Sequence, residues 1–108
     1  MPDLTLKQND TWPPLVATLT KGDGSPIDLT TAGTVHIYMK APAGSIRQGT
    51  CSITDAGQGV VEYTFGTADT AVPGTYRVEW DIDFGTGKRQ TAPNDTYREI
   101  LIVESLDP

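Results

Sequence analysis

An unbroken alternation from Thr75 to Phe84 sets the strongest limit on how this chain can fold. Tyr76, Val78, Trp80, Ile82 and Phe84 occupy one phase, and Thr75, Arg77, Glu79, Asp81 and Asp83 the other. Side chains on a strand alternate between two faces, so a one-residue slip would bury four charges. The register of this segment is therefore firmly specified. Shorter runs repeat the pattern. Val35, Ile37 and Met39 alternate with His36, Tyr38 and Lys40; Val61, Tyr63 and Phe65 share a phase, as do Leu4 and Leu6, Leu15, Ala17 and Leu19, and Ile100 and Ile102. Such alternation marks half-buried antiparallel strands, because parallel strands covered on both faces read as continuous apolar runs.

Between the runs lie turn formers. The 108 residues include 11 glycines, 8 prolines and sixteen threonines, a mixture of turn formers and β-branched residues that suits short strands and tight turns. Lys21–Pro26, Asp55–Gly59 and Phe84–Lys88 read as turns, Ala41–Ser45 as a loop, and Gly66–Ala71 as the one place for a single helical or 3₁₀ turn. Strands are expected over Leu15–Thr20, Thr34–Lys40, Gly49–Thr54, Val60–Phe65, Thr75–Phe84, Lys88–Thr91 and Tyr97–Val103, after a short opening strand at Leu4–Leu6. Seven or eight strands at roughly ten-residue spacing predict one all-β domain, an antiparallel β-sandwich. Residues 1–2 and 104–108 are expected to be mobile ends.

Charge and cysteine content narrow the function. Lys plus Arg is 8 against 14 for Asp plus Glu, a net charge of −6. Such a chain repels a phosphate backbone, so no nucleic-acid partner is expected. No apolar run approaches the ~20 residues a bilayer-spanning helix needs, so no membrane partner is expected either. A single cysteine, Cys51, excludes an intrachain disulfide and a cysteine-based zinc site. The start Met1-Pro2-Asp3-Leu4-Thr5 has no basic segment followed by an apolar one, which predicts no secretory signal and folding in the cytosol.

The residues that could carry chemistry lack the company it requires. His36 is the lone histidine and lies on a polar strand phase, with no nucleophile signature nearby. Cys51 shares a face with Ile53 and reads as a small buried hydrophobe. Glu79, Asp81 and Asp83 line one strand phase; Asp81 and Asp83 start like a calcium loop, but Gly85, Thr86 and Ala92 stand at its fifth, sixth and twelfth places, where the motif needs other residues. They read as a solvated face partly compensated by Arg77. No catalytic residue, metal ligand or cofactor-binding residue is expected, and the chain reads as a non-enzyme.

Trp12-Pro13-Pro14 is the most distinctive surface candidate. Two consecutive prolines cannot donate hydrogen bonds, so the segment must bend or cross between sheet edges. Its tryptophan is either a plug over the open end of the sandwich or an anchor in a subunit contact, where tryptophan is enriched.

Gly74-Thr75-Tyr76-x-Val78 resembles the tyrosine corner of immunoglobulin-like sandwiches, with Val78 where antibody domains carry a cysteine. Three pieces extend the likeness: Lys7-Gln8-Asn9-Asp10-Thr11-Trp12-Pro13-Pro14-Leu15, Gly24-Ser25-Pro26-Ile27-Asp28-Leu29-Thr30, and Gly74-Thr75-Tyr76-Arg77-Val78-Glu79-Trp80 followed by Pro93-Asn94-Asp95-x-Tyr97. Together they resemble the immunoglobulin-like β-sandwich modules of tailed bacteriophages, in particular the N-terminal domain of baseplate upper proteins and the tail-fibre collar proteins. Baseplate upper proteins are longer, so the resemblance fits a small collar, connector, tail or neck protein better. It implies a non-enzymatic virion component, assembled in the host cytoplasm, whose partners are other virion proteins and copies of itself in a ring. The expected interface is Trp12, Pro13 and Pro14 with Pro93, Asn94, Asp95 and Tyr97; Tyr76, Val78 and Trp80 are expected to be structural. A capsid decoration protein and an adhesion or carbohydrate-binding module are the alternatives.

Overall fold

The computed structural model describes residues 3–92 and 98–106. Among the described residues there are eight strands: β1 (Leu4–Lys7), β2 (Leu15–Thr18), β3 (Thr34–Lys40), β4 (Ile46–Asp55), β5 (Val60–Tyr63), β6 (Gly74–Asp83), β7 (Arg89–Ala92) and β8 (Arg98–Val103). They form a ladder β1-β8-β6-β3-β4-β5-β2, with β7 beside the far half of β6. The fold is all-β, as the alternation requires, and its pairings are antiparallel except for the parallel pair β1–β8.

Strand β4 joins the two layers. Its first half, to Cys51, pairs with β3; its second half, from Ser52, pairs with β5, with a register shift between Ile53 and Asp55. A bulge of this kind bends a strand and raises its twist, which is how one strand serves two layers. This strand begins at Ile46, three residues before the alternation makes it visible, because Ile46, Arg47 and Gln48 are all exposed. The Asp55–Gly59 turn contains a second 3₁₀ turn, Ala56–Gln58, beside the expected one, which spans Thr67–Thr70. Gly59 ends the first with φ of 70°, and a Cβ there would stand 2.7 Å from the Ile27 carbonyl oxygen and 2.8 Å from that of Leu19. Only glycine fits both the dihedral and the space.

The core is the sum of the inward phases. Val35, Ile37, Met39, Val78, Trp80, Ile82, Ile100 and Ile102 are sealed from one layer, and Leu15, Leu19, Ile27, Leu29, Val61 and Phe65 close over them from the other. Tyr76 is buried and its hydroxyl donates to the Val72 carbonyl at 2.7 Å, the back-bond of a tyrosine corner.

The outer face of β6 differs from the solvated stripe expected. Asp81 is buried, because β7 lays Thr91 directly opposite it and Arg89 reaches across to donate to its carboxylate. Arg89 is thus a cation that compensates Asp81. The hairpin's return strand, not the alternation of β6, decides which acid is covered.

Candidate protein interface

After β1 the chain turns sharply. The Asp10 carboxylate accepts from the Lys7 N–H at 3.1 Å, the Asp10 N–H donates to the Lys7 carbonyl, and Asn9 takes a left-handed φ of 72°. Asparagine tolerates that region better than most residues. The turn is then tied to two other segments. The Gln8 N–H donates to the Val103 carbonyl at 2.7 Å, and its side-chain amide to the Ala71 carbonyl at 2.7 Å. The Asn9 N–H donates to the Thr70 carbonyl at 3.0 Å, and the Thr70 hydroxyl returns a bond to the Asp10 carbonyl at 2.9 Å. The Ser105 N–H lies 3.5 Å from the Gln8 side-chain oxygen, which ties the segment after β8 to the same turn.

The platform for these bonds is the Thr67–Thr70 turn, and Asp69 fixes it. This carboxylate is 5% exposed. It accepts from the Tyr63 hydroxyl at 2.6 Å, the Gly66 N–H at 2.8 Å and Arg47 Nε at 2.7 Å. Burial pushes its pKa up, but the three donors outweigh burial and hold it below the ordinary carboxylate value. Burial first, and then the bond to the Asp69 carboxylate, push the Tyr63 phenol the other way, so it stays protonated as a donor. Gly49 makes room for the phenol: a Cβ there would sit 2.5 Å from the Tyr63 ring. A chain of polar contacts thus runs from β4 and β5 through Asp69 and Thr70 to Gln8, Asn9 and Asp10.

What this scaffold presents is apolar. Trp12 is 73% exposed, so it plugs nothing; Pro13, joined to it by a cis peptide bond, is also exposed, and Pro14 is half-buried. Val72, Val103 and Leu106 are exposed too. Among the described residues, four of the six exposed large hydrophobics ride on the three segments that meet at Gln8. The other expected half of the interface, Pro93, Asn94, Asp95 and Tyr97, lies outside the described residues. Tyr76, Val78 and Trp80 are buried along the inner face of β6.

No cluster of three or more potential metal ligands occurs among the described residues. Cys51 is buried, and burial pushes its thiol up to about 11, so it remains a neutral thiol near pH 7. His36 stands half-buried on the outer face of β3, its Nδ1 3.4 Å from the Gln48 amide nitrogen. No described helix is long and apolar enough to cross a membrane. Nothing in the alternation points to Asp69; the signal the sequence does carry is the Gly66–Ala71 turn, with an acid at its third helical position.

No family model matches the sequence, and no curated protein matches it. A solved structure does: the N-terminal domain of phage TP901-1 ORF48 superposes with a TM-score of 0.66 over 94% of this chain and 83% of that one. The chain shares its fold with a domain of a phage protein. Sequence identity is 13%, so the likeness is one of architecture.

Proposed function

We propose that this protein is a non-enzymatic bacteriophage virion component, a small tail, baseplate, collar or neck protein that acts through protein–protein contacts. The observation that carries the reading is the rigid corner that holds Trp12 in solvent, on a fold shared with a phage domain. Leaving a large aromatic exposed forgoes roughly 2–3 kcal/mol of burial, which a partner surface recovers on docking. The sequence resemblance to tailed-phage sandwich modules points the same way, as does the acidic surface, which disfavours DNA.

The test is composition of purified particles. Mass spectrometry of gradient-purified virions is expected to find the chain at a fixed copy number, and deletion of its gene to give particles defective in the tail or neck. Intact, infectious particles from the deletion, or a chain absent from washed virions, would overturn the reading. Retention on empty heads in place of tails would move the protein to the capsid surface.

A further inference from the structure

Residues 3–10 dock as one unit. β1 pairs with β8 from Leu4 opposite Ile100 to Lys7 opposite Val103, and Leu6 is buried in the core. The Asp3 N–H donates to the Glu99 carbonyl, and the Asp3 carboxylate accepts from the Glu99 N–H, both at 2.8 Å. At the other end Gln8, Asn9 and Asp10 are bonded to Val103 and to the Thr70–Ala71 segment. Among the described residues, the hydrogen bonds that leave this unit all end on residues 70–71 and 99–105. From Leu15 the chain is docked again, with β2 paired to β5 in the other layer. Thr11 to Pro14 connect the two, make no hydrogen bond among the described residues, and leave Trp12 and Pro13 exposed.

We propose that the unit is exchanged between copies: residues 3–10 of one molecule dock on β8 and the Thr67–Thr70 turn of a second, whose own residues 3–10 dock on the first. This rests on the reading of Trp12 as an assembly contact and names a second copy as its partner. The occupant follows from the site, which is cut for this very segment: the β1–β8 register, the burial of Leu6 and the bonds of Asp3, Gln8 and Asn9 recur unchanged across the pair. Opening the connector loses little, because it has no hydrogen bonds to break and two of its residues are prolines without an N–H. A short connector between two docked units favours exchange, and lengthening it favours closure. The gain lies at Trp12. In a reciprocal exchange both connectors cross from body to body side by side, so the indole that stands in water in the closed molecule is covered by its counterpart.

Cysteine trapping in the full chain tests this. Lys7 and Val103 stand opposite each other in the β1–β8 pair and both are exposed, so Lys7→Cys with Val103→Cys forms a disulfide across it; Cys51 is buried and stays out of the reaction. Oxidised at high protein concentration and run on a denaturing gel without reductant, the double variant is expected at twice the chain mass, and each single variant, the control for collisional bonds, at the chain mass. Adding Trp12→Ala should weaken pairing about tenfold and return the bond to within one chain. Inserting Gly-Ser-Gly-Ser after Thr11 should do the same.

A double variant that stays at the chain mass at every concentration overturns the exchange. So does a dimer in sedimentation whose disulfides all lie within one chain, or a Trp12→Ala chain whose cross-chain band is undiminished. If the first cysteine pair does not fold, Thr5→Cys with Leu101→Cys, also opposite each other, gives the same reading. A chain found in virions with only internal disulfides sinks the exchange and leaves the virion reading standing; cross-chain disulfides in a chain absent from virions do the reverse.

Discussion

The inner face of β6 and the corner that follows β1 are built on opposite principles. Along β6, Val78, Trp80 and Ile82 are sealed against Val35, Ile37 and Met39, and the strand is held by the apolar area it removes from water. At the corner the apolar groups face outward, and position is set by hydrogen bonds from Gln8, Asn9, Asp10 and Thr70 to a turn anchored by Asp69. Hydrophobic burial is strong but non-directional; hydrogen bonds contribute less net stability but fix direction. The anchor proposed for Trp12 would use the second kind of interaction and leave the first for its partner.

Substitutions should separate the two. Trp80→Ala removes the largest sealed side chain and is expected to cost about 3–5 kcal/mol in urea unfolding, a large share of the stability of a domain this size. Asp69→Asn should cost about 2 kcal/mol at pH 7 by weakening three charge-assisted bonds. Its effect should also depend on pH. The folded carboxyl lies below its ordinary value, so its contribution is complete above that value, roughly pH 4, and fades as pH falls through the folded pKa. The melting-temperature gap between wild type and Asp69→Asn should therefore narrow in acid; a gap that is flat from pH 3 to 7 would mean the carboxylate charge is not what fixes the platform.

Gly49→Ala reaches the same platform from the other side. Its new methyl must displace the Tyr63 ring, and with it the bond to Asp69, at about 1–2 kcal/mol. Hydrogen exchange at Asn9, whose N–H bonds to Thr70, should quicken in that variant while the amides of β3 keep their protection. The smallest effect is expected at Trp12→Ala: within about 0.5 kcal/mol on folding, since an exposed side chain leaves no cavity, and visible in assembly instead. Equal losses of folding and assembly in this variant would erase the distinction between the two regions.

Much of the architecture is legible in the order of residues. Each alternating run contains a strand with the expected face inward; β2, β5 and β6 end at Thr18, Tyr63 and Asp83, short of the runs, and Thr34–Lys40 agrees residue for residue. The corner is legible as an interruption, because two prolines cannot continue a ladder, but its exposure is not: a plug and an anchor have the same sequence. Alternation misplaces Asp81 and makes β4 too short, for a shared reason. It reports the two faces of a strand as if both neighbours were known. In these cases the deciding neighbour, the β7 strand over Asp81 or the β3 partner of Ile46–Gln48, lies elsewhere in the chain.

Local order thus dictates strand periodicity, turns, the prolines that stop a ladder, and a charge that disfavours nucleic acid. Whatever depends on distant segments arriving together is settled by long-range packing. Asp69 anchors the corner because Arg47, Tyr63 and Gly66 converge on it, and Gln8 joins the segments around Ala71 and Val103. Among the described residues, β1 and β2 end the ladder without pairing with each other. Periodicity is a property of neighbouring residues, whereas exposure and clefts are properties of the space left between segments far apart in the chain, and no local pattern encodes that space.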